Sequence, residues 1–281
     1  MKKTIVILLL LLCAVISVTH ADTSVQYRAL IIGEYSYDDG RNRTGGLNTA
    51  TGVSEMLSKQ AVENGYEVTL KLDTSRQELI TSIHDAFSDA DDDDISVFYI
   101  NCHGEYDGVS YIQLHDGTKI TSAQLEQMLS VISGKIVVII DCCSSGAFIG
   151  KAEQVDTFTS SVVASFTDEI SGLKSDKYLV LTSAAGKEDS FRRSFTGEND
   201  EQGMATIFAR SLCEGAGWDI VNDRVCSFKA DFNKDKQITF NEIYLYTVRR
   251  VLYYLKDTGK TQTVCTNNPG YGTVLFARSA G

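Results

Sequence analysis

Proline is nearly absent from this sequence, which has one proline among 281 residues and an apolar fraction of 43%. That composition indicates a compact globular protein and excludes a disordered or low-complexity chain. Histidine and cysteine are also scarce, with four and seven residues, and no Cys-x-x-Cys pair occurs, so a zinc site is not indicated. Acidic residues outnumber basic ones, and the formal net charge of −11 argues against a general nucleic-acid binder.

Long apolar runs are missing as well, except at the amino terminus. Two lysines precede an apolar core at 5–16, and Ala21 ends a small-residue cleavage site, which is the pattern of a secretory signal peptide over residues 1–21. An uncleaved membrane anchor is the alternative, but the run is short for a bilayer span. We therefore predict an exported protein, secreted, periplasmic or at the cell surface, with no membrane contact after signal removal and one large domain at 22–281.

Two apolar runs end in residues that can perform chemistry. The run at 95–100 is followed by His103, and the run at 136–140 is followed by Cys143. Runs rich in β-branched residues indicate strands buried on both faces of a parallel sheet, whose sites form at the carboxyl ends of the strands. Either residue alone is more often structural. Together they predict a Cys–His pair, the minimal arrangement for thiol nucleophilic catalysis.

The rest of the chain alternates between strand and helix patterns. Strands are predicted at 27–32, 67–72, 178–182 and 273–277, and helices at 51–62, 74–87, 122–132, 203–212 and 241–255. An Asp-Gly turn at 116–117 predicts a β-hairpin after His103. This alternation predicts an α/β fold with a mostly parallel central sheet and helices on both faces.

The two motifs together resemble one family. Segment 141–146 is similar to the D-x-C-x-S-G signature of caspase-like cysteine peptidases, and segment 99–104 to their upstream His-Gly motif. The grouping includes metacaspases, clostripain, gingipains and legumain. The resemblance covers roughly 27–215 and implies a caspase-like αβα sandwich with cysteine endopeptidase activity, which requires no cofactor for its chemistry.

The resemblance also implies roles for individual residues. Cys143 is the third residue of the signature and hence the nucleophile, whereas Cys142 occupies its variable position. His103 would support the thiolate or protonate the leaving amine. The backbone N–H groups of Gly104 and Cys143 would stabilise the oxyanion.

Substrate preference is predicted from acids near the nucleophile. In metacaspases and clostripain, the acid at the position of Asp141 pairs with a substrate Arg or Lys, and Asp189 is a weaker candidate for a second pocket acid. Cleavage after Arg or Lys is therefore expected. Metacaspases usually carry an Asn-Asp pair where this chain has Asn48 and Thr49, so a legumain-like preference for Asn stays open. Asp141 has a structural alternative, which is to stabilise the turn around the nucleophile.

Residues 231–242 match the spacing of a calcium-binding loop. Oxygen ligands at positions 1, 3, 5, 7 and 12 would come from Asp231, Asn233, Asp235, the Gln237 carbonyl and Glu242. Position 6 is Lys236, where glycine normally allows the turn. The alternative is an Asp/Asn-rich turn that caps the next helix through Thr239 or Asn241.

Three classes of function remain open. The first is a secreted endopeptidase acting as a monomer on protein or peptide substrates and cut after Lys151 or Lys174 on activation. The second is a peptide ligase or transamidase on the same dyad. The third is an inactive, calcium-dependent binding module. One disulfide is expected among Cys213, Cys226 and Cys265.

Overall fold

The computed structural model describes residues 25–60, 65–150, 173, 177–197, 200–267 and 272–278. The predicted signal peptide and the predicted cut sites at Lys151 and Lys174 lie outside the described residues and stay predictions. None of the helices in these ranges is long and apolar enough to cross a bilayer.

Strands and helices alternate over most of the described chain. In chain order, the strands are β1 (Tyr27–Gly33), β2 (Glu67–Leu72), β3 (Ile95–Asn101), β4 (His103–Tyr106), β5 (Ser110–Gln113), β6 (Lys119–Thr121), β7 (Lys135–Asp141), β8 (Tyr178–Thr182), β9 (Arg192–Ser194), β10 (Met204–Thr206), β11 (Trp218–Asp219), β12 (Arg224–Val225), β13 (Gln237–Thr239), β14 (Cys265–Thr266) and β15 (Val274–Ala277). The helices are α1 (Gly46–Gln60), α2 (Arg76–Phe87), α3 (Ser122–Leu129), α4 (Ile207–Gly215) and α5 (Phe240–Leu255), and a 3-10 turn spans Ser145–Ile149.

The central sheet has six strands in the order β14–β8–β7–β3–β1–β2. Five of them are parallel, and β14 pairs antiparallel with β8. Every residue of β3 and β8 is buried, as expected for strands covered on both faces. The predicted mostly parallel sheet is confirmed.

Alternate residues of the sheet belong to two separate cores. In β1, Leu30 and Ile32 pack with residues of α2 and α3, whereas Ala29 and Ile31 pack with residues of α1, α4 and α5. Successive strand side chains point to opposite faces, so a sheet with both faces apolar needs a helical layer on each side. The predicted αβα sandwich is confirmed.

Helix boundaries differ from the predictions by a few residues, most of all at the starts of α1 and α4. Ser75 caps α2 in a reciprocal capping box with Glu78. Helix α1 begins at Gly46, before the predicted start at residue 51. The prediction missed the first turn because that turn lacks an apolar stripe. The helix predicted at 203–212 begins only at Ile207, since β10 pairs with β9 before it.

The sheet register brings the ends of neighbouring strands to one edge. Gly33 lies opposite Asn101, and Asn101 lies opposite Asp141. The loops that follow β1, β3, β7 and β8 therefore all leave from the same edge. The closing strand β15 does not join this sheet but pairs with β13.

Candidate active site

The predicted dyad residues occupy equivalent positions after neighbouring strands. His103 and Cys143 each lie two residues beyond the Asn101–Asp141 register pair. The loops that carry them are in contact, because a Cβ on Gly104 would lie 2.4 Å from Cys142 Sγ and 2.5 Å from the Cys143 carbonyl oxygen. The structure therefore brings the two motifs together at one sheet edge. Among the described residues, no hydrogen bond joins the imidazole to the Cys143 thiol, a common situation before substrate binds.

The loop after β7 is held by the loop after β8. Ser144, immediately after Cys143, has a left-handed φ of 57°. The Gly146 N–H donates to the Ala184 carbonyl at 2.7 Å, and the Ala184 N–H donates to Ser145 Oγ at 3.1 Å. These contacts fix the sharp turn that presents the thiol.

Cys143 is half-buried, and its Sγ accepts a hydrogen bond from the Ser190 N–H at 3.4 Å. Burial raises the pKa of this thiol above its ordinary value, and the carboxylate of Asp189 raises it further, whereas the Ser190 N–H and Arg43 lower it. The thiol is therefore protonated at neutral pH in the free protein and needs a base.

Cys142 differs from Cys143 in exposure and contacts. It is fully buried, and its thiol is hydrogen-bonded to that of Cys102, which with burial raises its pKa well above the ordinary value. A buried, protonated thiol cannot meet a substrate. The structure thus favours Cys143 as the reactive residue.

The His103 imidazole is oriented by the loop between β1 and α1. Nε2 lies 2.8 Å from the Arg41 carbonyl oxygen. A carbonyl oxygen only accepts, so Nε2 carries the proton and Nδ1 is the basic nitrogen. Burial lowers the pKa of His103, and neighbouring arginines lower it further, although the bond to Arg41 opposes this. The imidazole is therefore neutral at neutral pH and can accept a proton.

Two side chains of the same loop were not found from the sequence. The Tyr37 hydroxyl accepts from the His103 N–H at 2.8 Å, and the buried Arg43 guanidinium donates to the Cys102 carbonyl. The only sequence signal was the polar, glycine-rich character of this loop, which does not say which residues turn inward.

Asp141 has no exposed surface in the free protein. Its carboxylate accepts from Tyr99 at 2.9 Å and Thr206 at 2.5 Å, and from the Ser190 hydroxyl at 3.1 Å. Burial raises the pKa of this carboxyl, although the three hydroxyls and Arg43 lower it. Asp141 is thus enclosed in the free protein, and its role as a pocket acid stays a prediction.

The second predicted pocket acid, Asp189, is exposed and lies beside the nucleophile. Its carboxylate interacts with the Cys143 thiol. The first arginine after Asp189 in the sequence is Arg192, which is also exposed and close enough for its charge to act on both Cys143 and His103. Groups of both signs therefore flank the thiol at the surface.

The caspase-domain family model matches residues 26–268 of the chain, which is most of its length. The chain belongs to the caspase family of cysteine peptidases.

Two solved structures are similar to this caspase-family chain. Caspase-1 from Spodoptera frugiperda is 14% identical, with a TM-score of 0.58 over 91% of each chain. A protein from Geobacter sulfurreducens is also 14% identical, with a TM-score of 0.57 over 89% of this chain and 99% of its own. No curated protein matches the sequence. At these identities the structural likeness supports the fold alone.

The predicted calcium loop of this caspase-family chain has the expected backbone. The Asp231 carboxylate accepts from the N–H groups of Asp235 and Lys236 at 3.2 and 3.1 Å. Asn233 Oδ1 accepts from the Asp235 N–H at 3.0 Å. Lys236 has a φ of 68°, so it adopts the left-handed conformation for which glycine is usual at position 6. The departure from the motif therefore leaves the turn intact.

The remaining proposed ligands serve the following helix. Glu242 forms a capping box with Thr239, whose N–H and hydroxyl both donate to Glu242 Oε2 at 2.9 Å. Gln237 begins β13. Within the described residues, no group of three or more His, Cys, Asp or Glu side chains is placed to hold a metal. The backbone fits a calcium loop, the side chains as placed stabilise the turn, and calcium binding stays a prediction.

The disulfide expected among Cys213, Cys226 and Cys265 is absent. None of the six cysteines in the described residues forms a disulfide. Cys213 is fully buried at Gly52, and the Cys265 thiol donates to the Thr263 carbonyl at 3.3 Å.

Proposed function

We propose that this caspase-family protein is a cysteine endopeptidase in which Cys143 is the nucleophile and His103 the proton carrier. The observation that carries this proposal is the contact between the two motif loops at one sheet edge, with Gly104 packed on the Cys142–Cys143 segment. The accessible, half-buried Cys143 thiol beside a fully buried Cys142 supports the choice of nucleophile.

The protonation states support a stepwise reaction. In the free protein the thiol is protonated and the imidazole neutral, so Nδ1 of His103 takes the Cys143 proton when substrate brings the loops together. The thiolate attacks the scissile carbonyl carbon, and the N–H groups of Gly104 and Cys143 stabilise the resulting oxyanion. The imidazolium then protonates the leaving amine, a thioester forms, and water hydrolyses it.

Cleavage after Arg or Lys remains our first proposal for specificity. Because the Asp141 carboxylate is buried and already accepts three hydroxyl hydrogen bonds, the exposed acid that supports this preference in the free protein is Asp189. Its exposed carboxylate lies beside the thiol, where it could pair with a basic side chain at the surface.

A second candidate is cleavage after an acidic residue. Two guanidinium groups support it, since Arg43 and Arg192 both act electrostatically on Cys143. Arg192 is exposed and could form a bidentate pair with a substrate carboxylate.

A peptide panel decides between these candidates. Fluorogenic peptides would differ only in the residue before the scissile bond, which would be Arg, Lys, Asn or Asp. We expect wild type to cleave the Arg and Lys peptides, Cys142→Ala to retain cleavage, and Cys143→Ala to lose it. Asp189→Asn should reduce cleavage after Arg and Lys at least tenfold, whereas the control Asp257→Asn changes an exposed carboxylate at the end of α5 and should have no effect.

Other results would redirect the proposal. Cleavage after Asp that is lost in Arg192→Gln would establish the acidic preference instead. Cleavage after Asn would favour the legumain-like alternative. Transfer of the acyl group to an added amine in preference to water would identify a ligase. If the Cys143→Ala variant still cleaved the peptides, the assignment of Cys143 as the nucleophile would be wrong.

We further propose that the protein acts outside the cell or in the periplasm, as a monomer, on protein or peptide substrates. The signal-like segment 1–21 supports export. Detection of a mature amino terminus near residue 22 in the exported fraction would test this.

A further inference from the structure

We propose that Tyr37 is a positioning residue for His103, acting through both its hydroxyl and its ring. This inference rests on the proposed function, because it assigns Tyr37 a role in orienting the imidazole that serves Cys143. Neither motif contains Tyr37, which lies in the loop between β1 and α1.

The hydroxyl lies between the first residue of β4 and the last residue of β5. His103 and Gln113 are register partners at the ends of β4 and β5. The Tyr37 hydroxyl accepts from the His103 N–H at 2.8 Å and donates to the Gln113 carbonyl at 3.2 Å. A side-chain hydroxyl thus bridges the first rung of this hairpin, and it fixes the backbone of His103.

The ring acts on the imidazole itself. The centroids of the Tyr37 and His103 rings are 4.6 Å apart, with the planes tilted by 52°. Tyr37 is only 4% exposed, so its ring also shields one face of the imidazole from water. Rotation of the imidazole away from Arg41 is therefore restricted by packing as well as by the bond to Nε2.

Tyr37 is itself rigidly held. Its N–H donates to Asn42 Oδ1 at 2.7 Å, and its carbonyl accepts from the Gly40 N–H at 2.9 Å. This turn leads directly to Arg41, whose carbonyl binds His103 Nε2. One turn therefore supplies the hydroxyl, the ring and the carbonyl that hold the catalytic imidazole, and a well-supported geometry is what proton transfer requires.

The test compares two buried tyrosines. Tyr37→Phe removes the hydroxyl and keeps the ring. Tyr66→Phe is the matched control, because Tyr66 is also buried and its hydroxyl donates to the Leu275 carbonyl at 3.1 Å, in the core layer formed with α1, α4 and α5. Three quantities would be measured for each protein: kcat and KM on the preferred peptide, the rate of Cys143 alkylation by iodoacetamide across pH, and the thermal midpoint.

We expect Tyr37→Phe to lower kcat about tenfold with KM within about twofold, and to slow Cys143 alkylation. Tyr66→Phe should leave kcat and the alkylation rate unchanged. It should lower the thermal midpoint by about as much as Tyr37→Phe does. Equal kinetics in the two variants, or a change in KM alone, would overturn the proposal. If wild type cleaved no peptide, the endopeptidase proposal would fail, and the alkylation rates would still decide the role of Tyr37.

Discussion

Replacing Gly104 with alanine is the most direct test of the contact between the two catalytic loops. A Cβ at this position would lie 2.4 Å from Cys142 Sγ and 2.5 Å from the Cys143 carbonyl oxygen. Ordinary contacts begin near 3.4 Å, so the loops must separate by about 1 Å. The Cys143 carbonyl is backbone and cannot rotate away as a flexible side chain could.

The expected effects follow from that displacement. Overpacking of this kind costs about 1–3 kcal/mol of unfolding free energy. For a domain of this size, each kcal/mol lowers the thermal midpoint by about 2–4 °C. A misplacement of about 1 Å between reacting groups can reduce the rate about 100-fold. We therefore expect kcat/KM to fall about 100-fold with a modest loss of stability.

Steady-state cleavage and differential scanning calorimetry would measure both effects. Gly272→Ala is the control, since a Cβ there meets no atom within 4 Å and the residue does not have a left-handed φ. Wild-type kinetics and an unchanged midpoint in Gly104→Ala would refute the loop contact. A large loss of stability with normal kinetics would refute its catalytic importance.

Two further predictions concern Glu34 and the Asp231 loop. Burial raises the pKa of Glu34 to about 7, although its bonds to Thr74 and the His115 N–H oppose this. A carboxyl group whose pKa is raised in the folded state stabilises the fold at pH values below the pKa that it has in the unfolded chain. That contribution is lost as pH rises through 7, so about 3 kcal/mol of unfolding free energy should disappear between pH 4.5 and 7. Denaturant titrations across this range should show that the unfolding free energy falls with pH in wild type and not in Glu34→Gln. Equal pH dependences in the two proteins would contradict the raised pKa of Glu34. Calcium should raise the thermal midpoint of wild type, and chelator should reverse the rise. The midpoint of Asp231→Ala should respond to neither addition. An unchanged wild-type midpoint would indicate that the loop is only a capping turn.

Much of the fold was predictable because its signals are local. The β-branched runs predicted β3, β7 and β8 within one residue of their observed ends. Helical periodicity predicted α2 within two residues of its observed start and at its observed end. Local signals also predicted β15 as a strand, but they did not specify its partner, which is β13 and not a strand of the central sheet.

The sequence by itself indicated the candidate dyad and the sheet edge at which its two residues lie. A parallel sheet places the carboxyl ends of its strands at one edge, so motifs that follow buried strands are expected there, and their contact requires that the two strands be neighbours. His103 and Cys143 could therefore be placed before any contact was known.

Only the tertiary structure decided what surrounds the dyad. Asp141 ends strand β7, yet Thr206, which contributes one of its three hydroxyl partners, lies at the end of β10, where it caps α4. Tyr37 and Arg43 turn inward from a loop whose conformation no periodicity specifies. Burial and long-range hydrogen bonds set these positions, and neither is encoded in the spacing of neighbouring residues, because they depend on which distant segments pack together.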